Sequence, residues 1–141
     1  MVAEPISADE FKKRLAQLCL SSKSAVLPRR QRDRQIILKS VALCFQKTRS
    51  YTEQQVNDVL LGWIDQVGFS FQTDHAALRR FLVDEGYLER SDTGESYWLS
   101  VVLSAGLFAA DVEEVHPELV LIEARSAAHA KKALYQRRSA D

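Results

Sequence analysis

The sequence predicts an α+β fold: a winged helix-turn-helix-like core of three helices and a small antiparallel wing, flanked by an N-terminal helix and a C-terminal strand and helix. Three observations carry this. Between residues 73 and 84, Leu78, Phe81 and Leu82 recur at helical spacing on one face. Gly86 then stops the helix, because a left-handed C′ position costs glycine nothing. From Tyr87 the period changes to two. Tyr87-Leu88-Glu89-Arg90 reads as a strand, Ser91 to Glu95 as a polar turn around Gly94, and Tyr97, Leu99, Val101 and Leu103 alternate with Trp98, Ser100, Val102 and Ser104. The chain accordingly divides into an N-terminal helix and linker (1–24), a winged domain (25–103) and an extension (104–141).

The first helix runs from Ser7 to about Leu20, with Glu10 placed to complete a capping box. Phe11, Leu15 and either Leu18 or Cys19 make its apolar stripe, and the helix serves as a brace or as part of a dimer contact. Leu27-Pro28 opens a second helix reaching about Gln46, with Pro28 near the first helical position. Its start holds Arg29, Arg30, Arg32 and Arg34. The helix macrodipole disfavours cations there, so an external anion or the acidic half of the same chain is expected nearby. Residues 47–51 form a short connection or a strand pairing with the wing. Thr52 caps a third helix with Gln55 as its box partner, and Val56, Val59, Leu60 and Trp63 are its buried stripe. That helix stops near Gly68, leaving a connection longer than a helix-turn-helix turn normally has. Thr73 or Asp74 caps the fourth helix.

After Leu103 the pattern weakens. Residues 107–115 read as a short helix or an acidic loop. Residues 118–124, rich in β-formers, are assigned to a strand over the alternative of a long helix, followed by a helix from a Ser126 cap to about Arg137. Ala124, Ala127, Ala128, Ala130 and Ala133 either admit a neighbouring helix or simply favour a solvated one.

Composition bounds the function. The chain has 46% hydrophobic residues and zero formal net charge. No apolar run approaches the roughly 20 residues of a membrane span. The N-terminus lacks a signal-peptide pattern, and the lone Cys19 and Cys44 suit a reduced, cytoplasmic setting. Charge is unevenly spread: residues 27–50 hold seven basic side chains against one acid, a net of +6, while residues 51–100 hold three against nine, a net of −6. No catalytic motif occurs. His75, His116 and His129 have no metal-ligand spacing, so neither a metal nor a cofactor is expected.

Three segments, LPRRQRDRQIIL (27–38), YTEQQVNDVL (51–60) and DHAALRRFLVDEGYLERSDTGESYWL (74–99), resemble the bacterial family known as domain of unknown function 2087. Tyr51, Glu53, Val56, Asn57, Asp74, Leu78, Arg79, Arg80, Leu82, Val83, Asp84, Gly86, Arg90 and Trp98 match its pattern, while residues 64–71 are extra. The resemblance implies a winged-helix-like fold and a regulatory neighbourhood only, since the family has no settled activity.

The leading expectation is a non-catalytic cytoplasmic regulator or accessory protein that contacts nucleic acid. Arg29, Arg30, Arg32 and Arg34 are its first candidate contacts, since guanidiniums grip phosphates. Arg79, Arg80 and His75 on the recognition-helix equivalent come second. Against it, Asp84 and Glu85 share that helix, and duplex affinity rests on phosphate neutralisation. Pairing of Arg79 or Arg80 with Asp84, Glu53 or Asp58 is the structural alternative. The competing function is a protein-binding or self-associating adaptor, with a homodimer as its simplest form.

Overall fold

A computed structural model of the chain describes residues 4–21, 27–100 and 106–140. It is α+β and mostly helical, in the order α1 (Ala8–Ser21), α2 (Gln31–Ala42), α3 (Glu53–Gln66), α4 (His75–Asp84), β1 (Leu88–Arg90), β2 (Tyr97–Leu99), a 3-10 turn (Ala110–Glu114) and α5 (Pro117–Ala140).

Local chemistry accounts for most boundaries. Ser7 Oγ accepts the Glu10 N–H at 3.2 Å and starts α1. The Glu10 carboxylate is drawn away to Arg32 instead of closing the capping box. Thr52 and Gln55 form the complete box on α3, at 3.1 Å and 2.9 Å. Asp74, and not Thr73, caps α4 by accepting from Ala77 at 2.7 Å. Gly86 and Gly94 take φ values of 82° and 76°, where a Cβ would be strained. Thr52→Ala removes one side of the box while leaving α3 buried. It is expected to cost about 1 kcal/mol, read as a small fall in the urea midpoint; an unchanged midpoint would mean the box adds nothing.

The hairpin pairs Leu88 with Leu99, Glu89 with Trp98 and Arg90 with Tyr97. Tyr51 joins it through an antiparallel bridge to Tyr97, as expected for the 47–51 connection. Val101 and Leu103, the predicted continuation of the second strand, lie outside the described residues.

Two assignments are corrected. Residues 118–124 are not a strand: they open α5, which is continuous from Pro117 through Ser126 to Ala140. Pro117 suits the first turn, where its missing N–H is not needed, and the His116 carbonyl accepts from Leu119 and Val120. Val120 and Leu121 are then buried while Leu119 and Ile122 are exposed. The second helix is also shorter than predicted. It begins after Arg30, whose extended backbone (φ −62°, ψ 128°) precedes the first turn, and after Ala42 it gives way to a tight turn through Phe45.

One apolar core joins all parts. Phe11, Leu15 and Cys19 of α1, Ile36, Ile37 and Val41 of α2, Val56, Leu60 and Trp63 of α3, Leu78 and Leu82 of α4, and Val112 and Leu121 of the C-terminal part are all buried. α1 packs on α2 and α5, α3 packs on α4, and α4 packs on β1. The connection at 67–74 is folded back on α3: the Val67 and Gly68 N–H groups both donate to the Trp63 carbonyl, at 2.8 and 2.9 Å. Phe71 is buried there, whereas Phe69 stays 47% exposed under the Arg125 guanidinium.

Candidate functional site

Seven residues are predicted contacts, and the structure divides them. Arg29 and Arg30 precede α2 and are exposed. Arg32 and Arg34 lie within it and face the protein's own carboxylates. Arg32 grips Glu10 of α1 through two hydrogen bonds of 2.8 and 2.9 Å. Arg34 donates to both oxygens of Glu85 at 3.1 Å and lies 4.5 Å from the Phe81 ring centre. Between them Asp33 is held by Arg14 at 2.8 and 2.9 Å. The Arg14 hydrogen bond keeps the Asp33 carboxyl below the usual range against the opposing effect of burial, helped by the charges of Arg14, Arg30 and Arg32. The awkward basic helix start is thus relieved by carboxylates from α1 and the end of α4. Among the described residues, Arg29 and Arg30 have no such ion pair.

On α4, Arg79 pairs with Glu53 at 2.9 Å and donates to Asn57, tying α4 to α3. Arg80 is exposed and His75 half-buried. A cavity of about 280 Å³ opens between α4 and the hairpin, lined by Arg79, Arg80, Arg90, Asp84 and Tyr97 among others. Here the structure brings Arg79 and Arg80 together and adds Arg90, which is not among the predicted contacts and has Asp92 and Glu95 close to it in the chain. Neither of those acids lines the cavity. The run at 29–34 is not part of this cleft, nor is His75.

A second cavity, of about 330 Å³, lies between the end of α2, the hairpin and the 3-10 turn, with Lys39, Lys47, Tyr87 and Glu113 in its wall. Its chemistry is already committed. Glu113 takes Lys39 at 2.6 Å and Lys47 at 3.2 Å. The Tyr87 hydroxyl donates to Gln35, and burial, aided by the nearby Glu85 charge, pushes its pKa up. Among the described residues, no group of three or more His, Cys, Asp or Glu is placed to hold a metal ion, and no helix is long and apolar enough to cross a membrane.

The third surface is one the sequence reading split, because it placed a strand at 118–124 and began the helix only at Ser126. α5 buries Pro117, Val120 and Leu121, yet Leu119, Ile122 and Leu134 are 49%, 57% and 50% exposed. Arg125, on another side of the helix, lies along the surface, 4.2 Å from the Phe69 ring centre and donating to the Gln66 carbonyl at 3.3 Å. The apolar stripe on α5 therefore has no partner among the described residues.

No curated protein and no solved structure matches the chain. A family profile does, and it covers the α2 start, the Glu53–Arg79–Asn57 network and the arginine-lined cleft together. Matched over residues 25–99, more than half its length, the chain belongs to the bacterial family described as domain of unknown function 2087, an uncharacterised protein conserved in bacteria.

Proposed function

We propose that this protein is a regulatory or accessory module that works by binding protein, its helices α2 to α4 and hairpin forming a winged-helix scaffold that presents α5. The observation that carries this is the bare apolar stripe of Leu119, Ile122 and Leu134 on a helix that the core holds at its start, through Val120 and Leu121. Large apolar side chains aligned on one exposed helix face are the anchors of helix-mediated recognition. The charge balance points the same way. Arg32, Arg34 and Arg79, three of the seven predicted nucleic-acid contacts, are consumed by Glu10, Glu85 and Glu53. Freeing them for phosphate means breaking those pairs.

The test is association of the full chain, followed by sedimentation and by capture from a bacterial lysate, against Ile122→Glu/Leu134→Glu. Wild type is expected to associate with itself or with another protein, and the double variant to lose that association while keeping its circular dichroism. A wild type that neither self-associates nor captures anything through α5 removes the reading.

A nucleic-acid role is the second reading. Arg29, Arg30, Arg80 and Arg90 form no salt bridge among the described residues, and two of them line the α4–hairpin cleft. Salt-titrated duplex binding decides it. On the protein-binding reading, no duplex complex forms at physiological salt. A complex whose affinity falls with salt and disappears in Arg29→Ala/Arg30→Ala or Arg80→Ala/Arg90→Ala would reverse the order of the two readings.

A further inference from the structure

We infer that the partner seated on α5 is a second copy of this chain, packed antiparallel to the first about a two-fold axis level with residue 128, on the face opposite the Ala128 side chain. The inference rests on the protein-binding reading above and names its partner.

The first argument is spacing. At 100° per residue, Leu119, Ile122, Ser126, Ala130, Leu134 and Arg137 fall within about a third of the helix circumference. Their intervals are three, four, four, four and three, the same in both directions. A two-fold contact needs that property, because one surface must complement itself when reversed. Reversal about residue 128 sets Ile122 against Leu134 of the second copy, Ser126 against its Ala130, and Leu119 against the aliphatic stem of its Arg137. Small side chains therefore meet at the crossing point, where two helices approach most closely, and the large ones fill the space to either side. Rows spaced by four favour the steeper class of helix crossing, near −50°.

The second argument is charge. Glu118 and Glu123 are the acids of α5, both near its start, while Lys131, Lys132, Arg137 and Arg138 lie towards its end. Arg125, the one Lys or Arg near the acidic end, is already engaged by Phe69 and Gln66. Antiparallel packing sets the acidic start of each helix beside the basic end of the other, twice per dimer. A parallel pair would stack like on like. The helix dipoles also oppose one another in the antiparallel arrangement.

Charge exchange tests this with a gain as well as a loss. By sedimentation or light scattering at micromolar concentration, wild type is expected at about twice its 16.0 kDa chain mass. Glu118→Lys/Glu123→Lys and Lys132→Glu/Arg137→Glu/Arg138→Glu should each fall to the single-chain mass of 16.0 kDa. Mixed in equal amounts they should recover the dimer, a result no misfolded variant can imitate. A monomeric wild type overturns the inference, as does a mixture that fails to reassociate. If wild type is monomeric yet binds a different protein through Ile122 and Leu134, the second-copy inference fails and the protein-binding reading survives.

Discussion

Gly68→Ala is expected to cost about 3 kcal/mol, at the upper end for overpacking, and to lower the urea midpoint by on the order of 1.5 M. The reason is space and not backbone conformation. A Cβ at position 68 would sit 2.1 Å from Trp63 Cζ3 and 2.3 Å from Cη2, far inside van der Waals contact. The indole has nowhere to retreat. It is 2% exposed, and its Nε1 donates to Ser40 Oγ at 3.0 Å, which in turn donates to the Ile37 carbonyl at 2.6 Å. A companion experiment separates this from general damage to the loop. Trp63→Phe makes its own cavity and loses the Ser40 bond, but it takes away the part of the ring that a new Cβ strikes. Gly68→Ala added to Trp63→Phe should therefore cost markedly less than Gly68→Ala alone, a coupling of 1 kcal/mol or more by the usual size for touching residues, roughly. Strict additivity of the two would show that the 67–74 connection moves aside and that the clash is not the cause.

That connection illustrates what the chain discloses before it folds. The caps at Thr52 and Asp74 and the positive-φ glycines at 86 and 94 are local decisions, settled within three or four residues, and each is legible. The hairpin register follows from them. α5 is not local in this sense. Val120, Leu121 and Ile122 are consecutive β-formers with no period of their own, and helix wins because α1 offers a surface that buries Val120 and Leu121. No window around residue 120 contains that surface. The 3,4,4,4,3 stripe becomes readable only once 117–140 is known to be one helix.

The arginines show the same limit in electrostatic form. Uneven charge in the two halves signals that basic and acidic segments will meet. It does not say which side chains do. Arg32 finds Glu10 across 22 positions, Arg34 finds Glu85 across 51, and Arg79 finds Glu53 on the neighbouring helix. Arg29 and Arg30 remain outside these pairs because α2 starts one turn later than its sequence pattern suggests. In the α4–hairpin cleft, adjacency in sequence misleads in the opposite direction. Asp92 and Glu95 are close to Arg90 along the chain but do not line the cavity that Arg90 shares with Arg79 and Arg80.

Glu113→Gln is the second large effect, and it bears on how α5 is aimed. Glu113 sits in the 3-10 turn just before α5 and receives Lys39 from α2 at 2.6 Å and Lys47 at 3.2 Å. The Lys39 side chain is only 8% exposed, while Glu113 is 31% exposed. Removing the carboxylate strands a buried ammonium beside the Phe108 ring, 5.5 Å from its centre. Breaking a fully buried pair costs about 3–5 kcal/mol, and the exposure of Glu113 lowers the expectation here to about 2–3 kcal/mol near neutral pH. Lys39→Met should cost less, since the carboxylate left behind keeps Lys47 and some water. The double variant should recover much of the loss of Glu113→Gln. Burial alone would raise the Glu113 pKa, but the hydrogen bond and charge of Lys39, with those of Lys47, outweigh it and hold the carboxyl below its ordinary value. A depressed folded pKa means that the stabilisation is present above the unfolded value, about 4.3, and is lost as the pH falls through the folded one. The gap between wild type and Glu113→Gln should thus be widest at neutral pH and close below about pH 4. Both proteins should still weaken in acid, because Asp33 is depressed by Arg14 in each. Urea titrations of the two proteins at neutral pH and near pH 3 measure this directly; a gap that stays constant across that range would mean that Glu113 holds the turn by shape and not by charge.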